Sequence, residues 1–167
     1  MTALAVPLVL EIDTPDESAT GAIGAQLAKS IPAGVDRALR VHLQGDLGAG
    51  KTTLVRGFLR ALGVTGVVRS PTYGLLEPYA VADHRVLHLD LYRLVDPAEV
   101  AALGLRDHDE PGAIWLIEWP ERGGSALPPA DLAVTLTARP GSHHLRLVGL
   151  SAAGGLWLQR SGFLESV

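Results

Sequence analysis

The chain has no cysteine and no asparagine, and only two of its 167 residues are lysine. Without cysteine there is no disulfide, no thiolate metal site and no cysteine nucleophile, and the redox compartment stays open. Without asparagine the N-K-x-D pattern commonly used to read guanine cannot occur. The two lysines, Lys29 and Lys51, stand against twelve arginines, and the formal net charge is −4. No broad basic stripe is evident, so any contact with RNA is expected to run through a partner. The six histidines show neither H-E-x-x-H nor zinc spacing, which argues against a histidine metal site. Hydrophobic residues make up 47% of the chain and mean hydropathy is +0.24. Even so, no uninterrupted apolar run approaches the roughly 20 residues of a membrane span. The opening Met1-Thr2-Ala3-Leu4-Ala5-Val6 has no basic n-region, so it does not read as a signal peptide and a cytoplasmic location is the default. The length fits one domain, residues 1–167, with a sizeable core.

What is present centres on Gly45-Asp46-Leu47-Gly48-Ala49-Gly50-Lys51-Thr52, which fills every fixed position of the Walker A pattern G-x-x-x-x-G-K-[ST]. Glycines at those positions let successive backbone N–H groups turn inward around phosphate oxygens. Lys51 is placed to reach the β- and γ-phosphates, and the Thr52 hydroxyl to ligate Mg²⁺. Lys51 is also the only lysine after Lys29, and a compact point charge suits a phosphate cradle. The context agrees. Leu39, Val41 and Leu43 alternate as a strand that runs into Gly45. Leu54, Val55, Phe58, Leu59 and Leu62 recur at helical spacing until Gly63. A helix starting at the loop adds free N–H groups and the positive end of its dipole.

Elsewhere, Val6 to Ile12 reads as a strand, and Thr14-Pro15-Asp16-Glu17 as a helix start with Thr14 as N-cap and Pro15 at the first helical position. That helix runs through Ile23 and Leu27 to a stop at Pro32-Ala33-Gly34. Val67 begins an extended stretch towards Tyr79, residues 80 to 85 look like a turn, and His84 to Leu91 reads as a strand. Pro97 to Leu103 suggests a short helix stopped at Gly104. Ala113 to Ile117 is a continuous apolar run, as in a strand covered on both faces. Leu132 to Thr137 and His144 to Val148 suggest an antiparallel pair, while the tail after Gly154 carries no clear signal. The fold class expected is α/β: a P-loop nucleotide-binding three-layer arrangement with a mainly parallel central sheet and antiparallel additions.

Two carboxylates end hydrophobic strands, Asp90 after Val86-Leu87-His88-Leu89 and Glu118 after Ile114-Trp115-Leu116-Ile117. Ligands in open α/β sheets sit at the carboxyl ends of strands, so both acids could face bound phosphates. Asp90 is short enough to hold Mg²⁺; Glu118 suits water activation or a metal contact. Either acid could instead simply mark a strand end. Ser70 and Thr72 could act as switch-loop hydroxyls or be ordinary turn residues beside Pro71. Arg93 could approach phosphate or form a surface ion pair, and Trp119 could cover the site or pack.

Taken together, four motifs make the chain resemble the TsaE (YjeE) family of ATPases. They are Gly45 to Thr53, Ser70-Pro71-Thr72-Tyr73, His88-Leu89-Asp90-Leu91-Tyr92-Arg93-Leu94 and Glu118-Trp119-Pro120-Glu121. Gly104-Leu105-Arg106-Asp107 and Leu127 to Leu132 also look like that family, and Gly74 departs from it where Thr is frequent. The resemblance implies ATP/ADP bound with Mg²⁺ at Asp46, Leu47, Gly48, Ala49, Gly50, Lys51, Thr52 and Thr53, with Asp16 and Ser18 near the adenine. It implies Mg²⁺ held by Thr52, Asp90 and Glu118, catalytic roles for Glu118, Asp90 and Lys51, and Trp119 at the nucleotide, supporting hydrolysis with Glu118. It also implies hydrolysis that is weak alone and coupled to TsaD and TsaB in threonylcarbamoyladenosine (t6A) modification of tRNA at position 37. TsaD would carry out the group transfer, and tRNA would be met through the complex. A small-molecule kinase could use the same loop, although no Arg-rich lid insert is apparent. A non-catalytic nucleotide-binding adaptor, in which Glu118 is structural, is the third reading.

Overall fold

The computed structural model describes residues 6–71 and 73–166. Among these residues seven strands form one sheet: β1 Val9–Thr14, β2 Leu39–Gln44, β3 Leu76–Val81, β4 His84–Asp90, β5 Ala113–Glu118, β6 Leu132–Arg139 and β7 Ser142–Gly149, in the order β1-β7-β6-β2-β5-β4-β3. The centre, β4-β5-β2-β6, is parallel; β1, β7 and β3 add antiparallel pairs. This is the mixed α/β sheet expected. β5 is buried at all six positions, which is why its sequence is apolar from Ala113 to Ile117 rather than alternating.

Among the described residues four helices flank the sheet: α1 Glu17–Lys29, α2 Lys51–Ala61, the short α3 Pro120–Gly123, and α4 Ala152–Arg160. One core joins α1, α2 and α4 to one sheet face through Val41, Leu43, Val86, Ile114 and Leu116. A second core, on Leu87, Leu89, Trp115 and Ile117, packs against the 3₁₀ segments Pro97–Leu103 and Leu105–His108. The backbones of α1 and α2 touch. A Cβ built on Gly24 would lie 2.0 Å from the Leu54 carbonyl oxygen, and one on Gly57 would lie 2.0 Å from that of Gly21. Only glycine permits that approach, which seats α2, and therefore the loop before it, against α1.

Several boundaries differ from the sequence reading. The first strand is Val9–Thr14 rather than Val6 to Ile12, because pairing with β7 runs from Val9 opposite Val148 to Thr14 opposite His143. Thr14 therefore does not cap α1. Its hydroxyl lies 2.8 Å from that of Thr20, and Asp16 takes the cap instead, accepting the Ala19 N–H at 2.8 Å. The stretch from Val67 is irregular over residues 67–71 and 73–75, Leu75 having a φ of +61°. The expected turn at 80 to 85 shrinks to Ala82-Asp83, since β3 continues to Val81 and β4 begins at His84. The tail is ordered by α4, whose Trp157 is fully buried and donates its indole N–H to the Leu27 carbonyl at 2.9 Å.

At the opposite end from the loop, Asp131 clamps three elements together. It receives both Arg37 guanidinium nitrogens at 2.7 and 2.9 Å, the Arg40 N–H at 2.9 Å and the Ser151 hydroxyl at 2.6 Å. Among the described residues, no helix is long and apolar enough to cross a membrane.

Candidate functional site

The phosphate-loop residues follow β2 directly and end in α2, whose N-cap Gly50 has φ +103°. A Cβ at Gly45 would lie 2.4 Å from the Leu136 carbonyl oxygen, so the loop can run against β6 only with glycine there. Register then does the assembling. β5 pairs with β2 on one side and β4 on the other, which puts Glu118 opposite Leu43 and Asp90 opposite Glu118. The two carboxylates thus stand side by side at the carboxyl edge of the parallel strands, beside the first turn of α2.

A cavity of about 340 Å³ opens at that edge, lined by Leu47 to Thr53, Asp90, Glu118 and Trp119, together with Glu17, Ser70 and Tyr92. The Thr52 hydroxyl donates to Glu118, 2.9 Å from Oε1 and 3.1 Å from Oε2. Asp90 accepts the Tyr92 N–H at 3.0 Å through Oδ1 and the Ser70 hydroxyl through Oδ2. Lys51 Nζ donates to the carbonyls of Gly45 and, at 2.9 Å, Asp46, and lies 4.3 Å from the centre of the Trp119 ring. Trp119 takes φ +56° at the strand end, its N–H bonded to the Leu43 carbonyl at 3.2 Å, and its ring packs on Tyr92. A left-handed tryptophan is an uncommon conformation for a bulky residue, here fixed by contacts on both sides.

Lys51, Asp90 and Glu118 are each 5% exposed or less. Burial pushes the Lys51 ammonium below its ordinary pKa, against the pull of Glu118, Glu121, Asp90 and Asp46. The carboxylates and the Thr52 hydroxyl are hard oxygen donors that could hold a cation such as Mg²⁺, which takes one or two carboxylates together with phosphate oxygens. No cluster of three or more His, Cys, Asp or Glu that could hold a metal by itself occurs among the described residues. The donor set thus fits a metal shared with a ligand rather than a closed protein cage.

Not every residue singled out from sequence reaches the cavity. Asp16 and Ser18 are exposed, Asp16 being engaged as the α1 cap, while Glu17 between them lines it. Asp46 contributes its carbonyl and Arg93 stacks on the exposed Tyr73 ring, 4.6 Å from its centre. Thr72 lies outside the described residues. Sequence reasoning gave no role to His88, whose Nε2 sits 2.8 Å from Glu118 Oε1. The signal was available, since in a strand of period two His88 shares a face with Asp90.

A family model described as "Threonylcarbamoyl adenosine biosynthesis protein TsaE" matches residues 14–145. The chain is 41% identical over 141 residues to the tRNA threonylcarbamoyladenosine biosynthesis protein TsaE of Haemophilus influenzae, spanning 84% of this chain and 89% of that one. Against the protein of the same description from Synechocystis the identity is 44% over 117 residues, 68% of this chain and 71% of that one. The crystal structure of Bacillus subtilis YdiB superposes with a TM-score of 0.73 over 96% of this chain and 98% of that one. At 22% identity this likeness speaks for the fold.

Proposed function

The chain belongs to the TsaE family, and from that premise we propose that it binds ATP with Mg²⁺ and hydrolyses it in support of t6A modification of tRNA at position 37. Its relatives carry that pathway in their descriptions. The observation that best supports hydrolysis is the convergence of Lys51, Thr52, Asp90 and Glu118 on one cavity at the end of the phosphate-loop helix.

Each side chain has work suited to its chemistry. Lys51 would exchange its carbonyl partners for phosphate oxygens, which restores a counter-charge to an ammonium disfavoured by burial. Thr52 has one proton and two lone pairs, so it can keep its proton on Glu118 while offering oxygen to a cation. Asp90 and Glu118 would share that cation, and Mg²⁺ when bound would neutralise charge on the transferring phosphoryl group. Glu118 would also orient the attacking water and receive its proton. Trp119, held over Lys51, would cover the phosphates and limit access of solvent.

Threonylcarbamoyl transfer is assigned in this proposal to a partner rather than to this chain. TsaD and TsaB are the proposed partners, TsaD carrying out the transfer and tRNA being met through the complex. Phosphate release by the purified chain, measured with and without TsaD and TsaB, tests the reading. Release that needs no added acceptor and rises with the partners is the expected result. Turnover only with a metabolite would establish a kinase, and ATP binding without turnover under any of these conditions would establish an adaptor.

A further inference from the structure

His88 is completely buried on a strand whose neighbouring positions are Val86, Leu87 and Leu89. Its Nε2 lies 2.8 Å from Glu118 Oε1, and its Nδ1 has no hydrogen-bond partner among the described residues. An apolar residue would fill such a place without leaving a buried polar atom unsatisfied, which is costly. The imidazole does not line the cavity, so it has no direct reach to a bound nucleotide.

What it does reach is the carboxylate that Thr52 alone cannot orient. The terminal torsion of glutamate is broad, so the plane of an unheld carboxylate is free to turn. The Thr52 hydroxyl sits at nearly equal distance from both, 2.9 and 3.1 Å, and does not distinguish them. His88 contacts Oε1 only, which fixes the plane of the carboxylate and leaves the other oxygen with fewer protein hydrogen bonds. With Nδ1 unpartnered, the proton belongs on Nε2, where it is donated to the carboxylate.

We propose that His88 is the positioning residue of Glu118, holding one oxygen and so fixing the plane of the carboxylate with its other oxygen left to the reaction. The proposal rests on the hydrolysis reading above and goes beyond it in naming the group that holds Glu118. His88→Leu removes the donor, and kcat for ATP hydrolysis is expected to fall about ten- to a hundredfold while the nucleotide Kd stays within about twofold. His88→Gln, whose side-chain amide can donate from a similar place, is expected to recover most of that loss. Unchanged kcat in His88→Leu overturns the proposal, as does a parallel loss of kcat and nucleotide affinity.

One measurement needs neither a His88 variant nor turnover. Long-range ¹⁵N–¹H correlation spectra of the wild-type protein should show His88 protonated on Nε2, with resonances that move in Glu118→Gln. A proton on Nδ1 instead, or a His88 signal indifferent to Glu118→Gln, overturns the positioning role. Absence of phosphate release by the wild-type chain, with or without partners, overturns the hydrolysis reading and leaves this spectroscopic result to decide the pairing by itself.

Discussion

Replacing Gly57 by alanine sets two effects of opposite sign against each other. Gly57 lies inside α2, where alanine is intrinsically favoured by about 1 kcal/mol. The added Cβ, however, would fall 2.0 Å from the Gly21 carbonyl oxygen, 2.6 Å from its carbon and 2.8 Å from its Cα. All three atoms are backbone, so no side chain can swing aside, and α1 and α2 must separate by more than an ångström. Overpacking of this kind costs about 1–3 kcal/mol even where side chains can yield. Separation would also loosen Leu27, Leu54 and Phe58, all buried in the core beneath the two helices. A net loss of about 2 kcal/mol is expected, which at an m-value of about 2 kcal/mol/M lowers the urea midpoint by about 1 M. Gly155 is the internal control. It too is helical, yet its Cβ would meet nothing within 4 Å, so Gly155→Ala should raise stability by about 0.5–1 kcal/mol. Urea unfolding followed by circular dichroism reads both. A Gly57→Ala midpoint at or above that of the wild type would refute the packing argument, because propensity would then have prevailed over the contact. Since Lys51 and Thr52 form the first turn of the same helix, Gly57→Ala should weaken ATP binding as well.

Lys51→Met removes an ammonium that burial disfavours, so the protein without nucleotide should melt at a higher temperature while ATP affinity collapses; unchanged affinity by calorimetry removes Lys51 from the cradle. Asp90→Ala should raise the Mg²⁺ concentration needed for turnover at least about tenfold, and a normal Mg²⁺ titration would place Asp90 outside the metal's ligands. Burial opposes ionisation of Asp131, but hydrogen bonds from Arg37, Ser151 and the Arg40 N–H outweigh it and hold the carboxyl below its usual range. A lowered carboxyl pKa stabilises the fold fully above about pH 4 and loses that contribution as pH falls through the folded value. Because Arg37 is about a third exposed and screened by solvent, Arg37→Met should cost about 1–2 kcal/mol near neutral pH and less in acid; an equal loss at pH 7 and pH 3 would contradict the pairing.

The parts of this molecule that sequence disclosed are those where one residue type is required by a local rule. The phosphate loop needs its glycines at fixed places, β5 needs apolar residues on both faces, and Pro97–Leu103 is bounded by a capping Asp96 and by Gly104 at φ +66°. Strand-end acids were legible for the same reason, but their adjacency was not. Asp90 and Glu118 become neighbours only because β4 pairs with β5 in the register that sets them opposite one another, and register is decided by packing across the sheet. The misread cap of α1 is of the same kind. Thr14 and Asp16 both have capping chemistry, and what excludes Thr14 is β7, over a hundred residues away in sequence, holding it in the ladder at His143. Likewise α4 offers a weak periodic signal because Gly154 and Gly155 occupy its first turn. Gly154 is there because a Cβ would lie 1.8 Å from the Asp131 carbonyl oxygen. His88 follows from the same logic. Its face of the strand could be read from alternation with Asp90, but its partner could be identified only once β5 had been laid beside β4, which makes Glu118 the residue it meets.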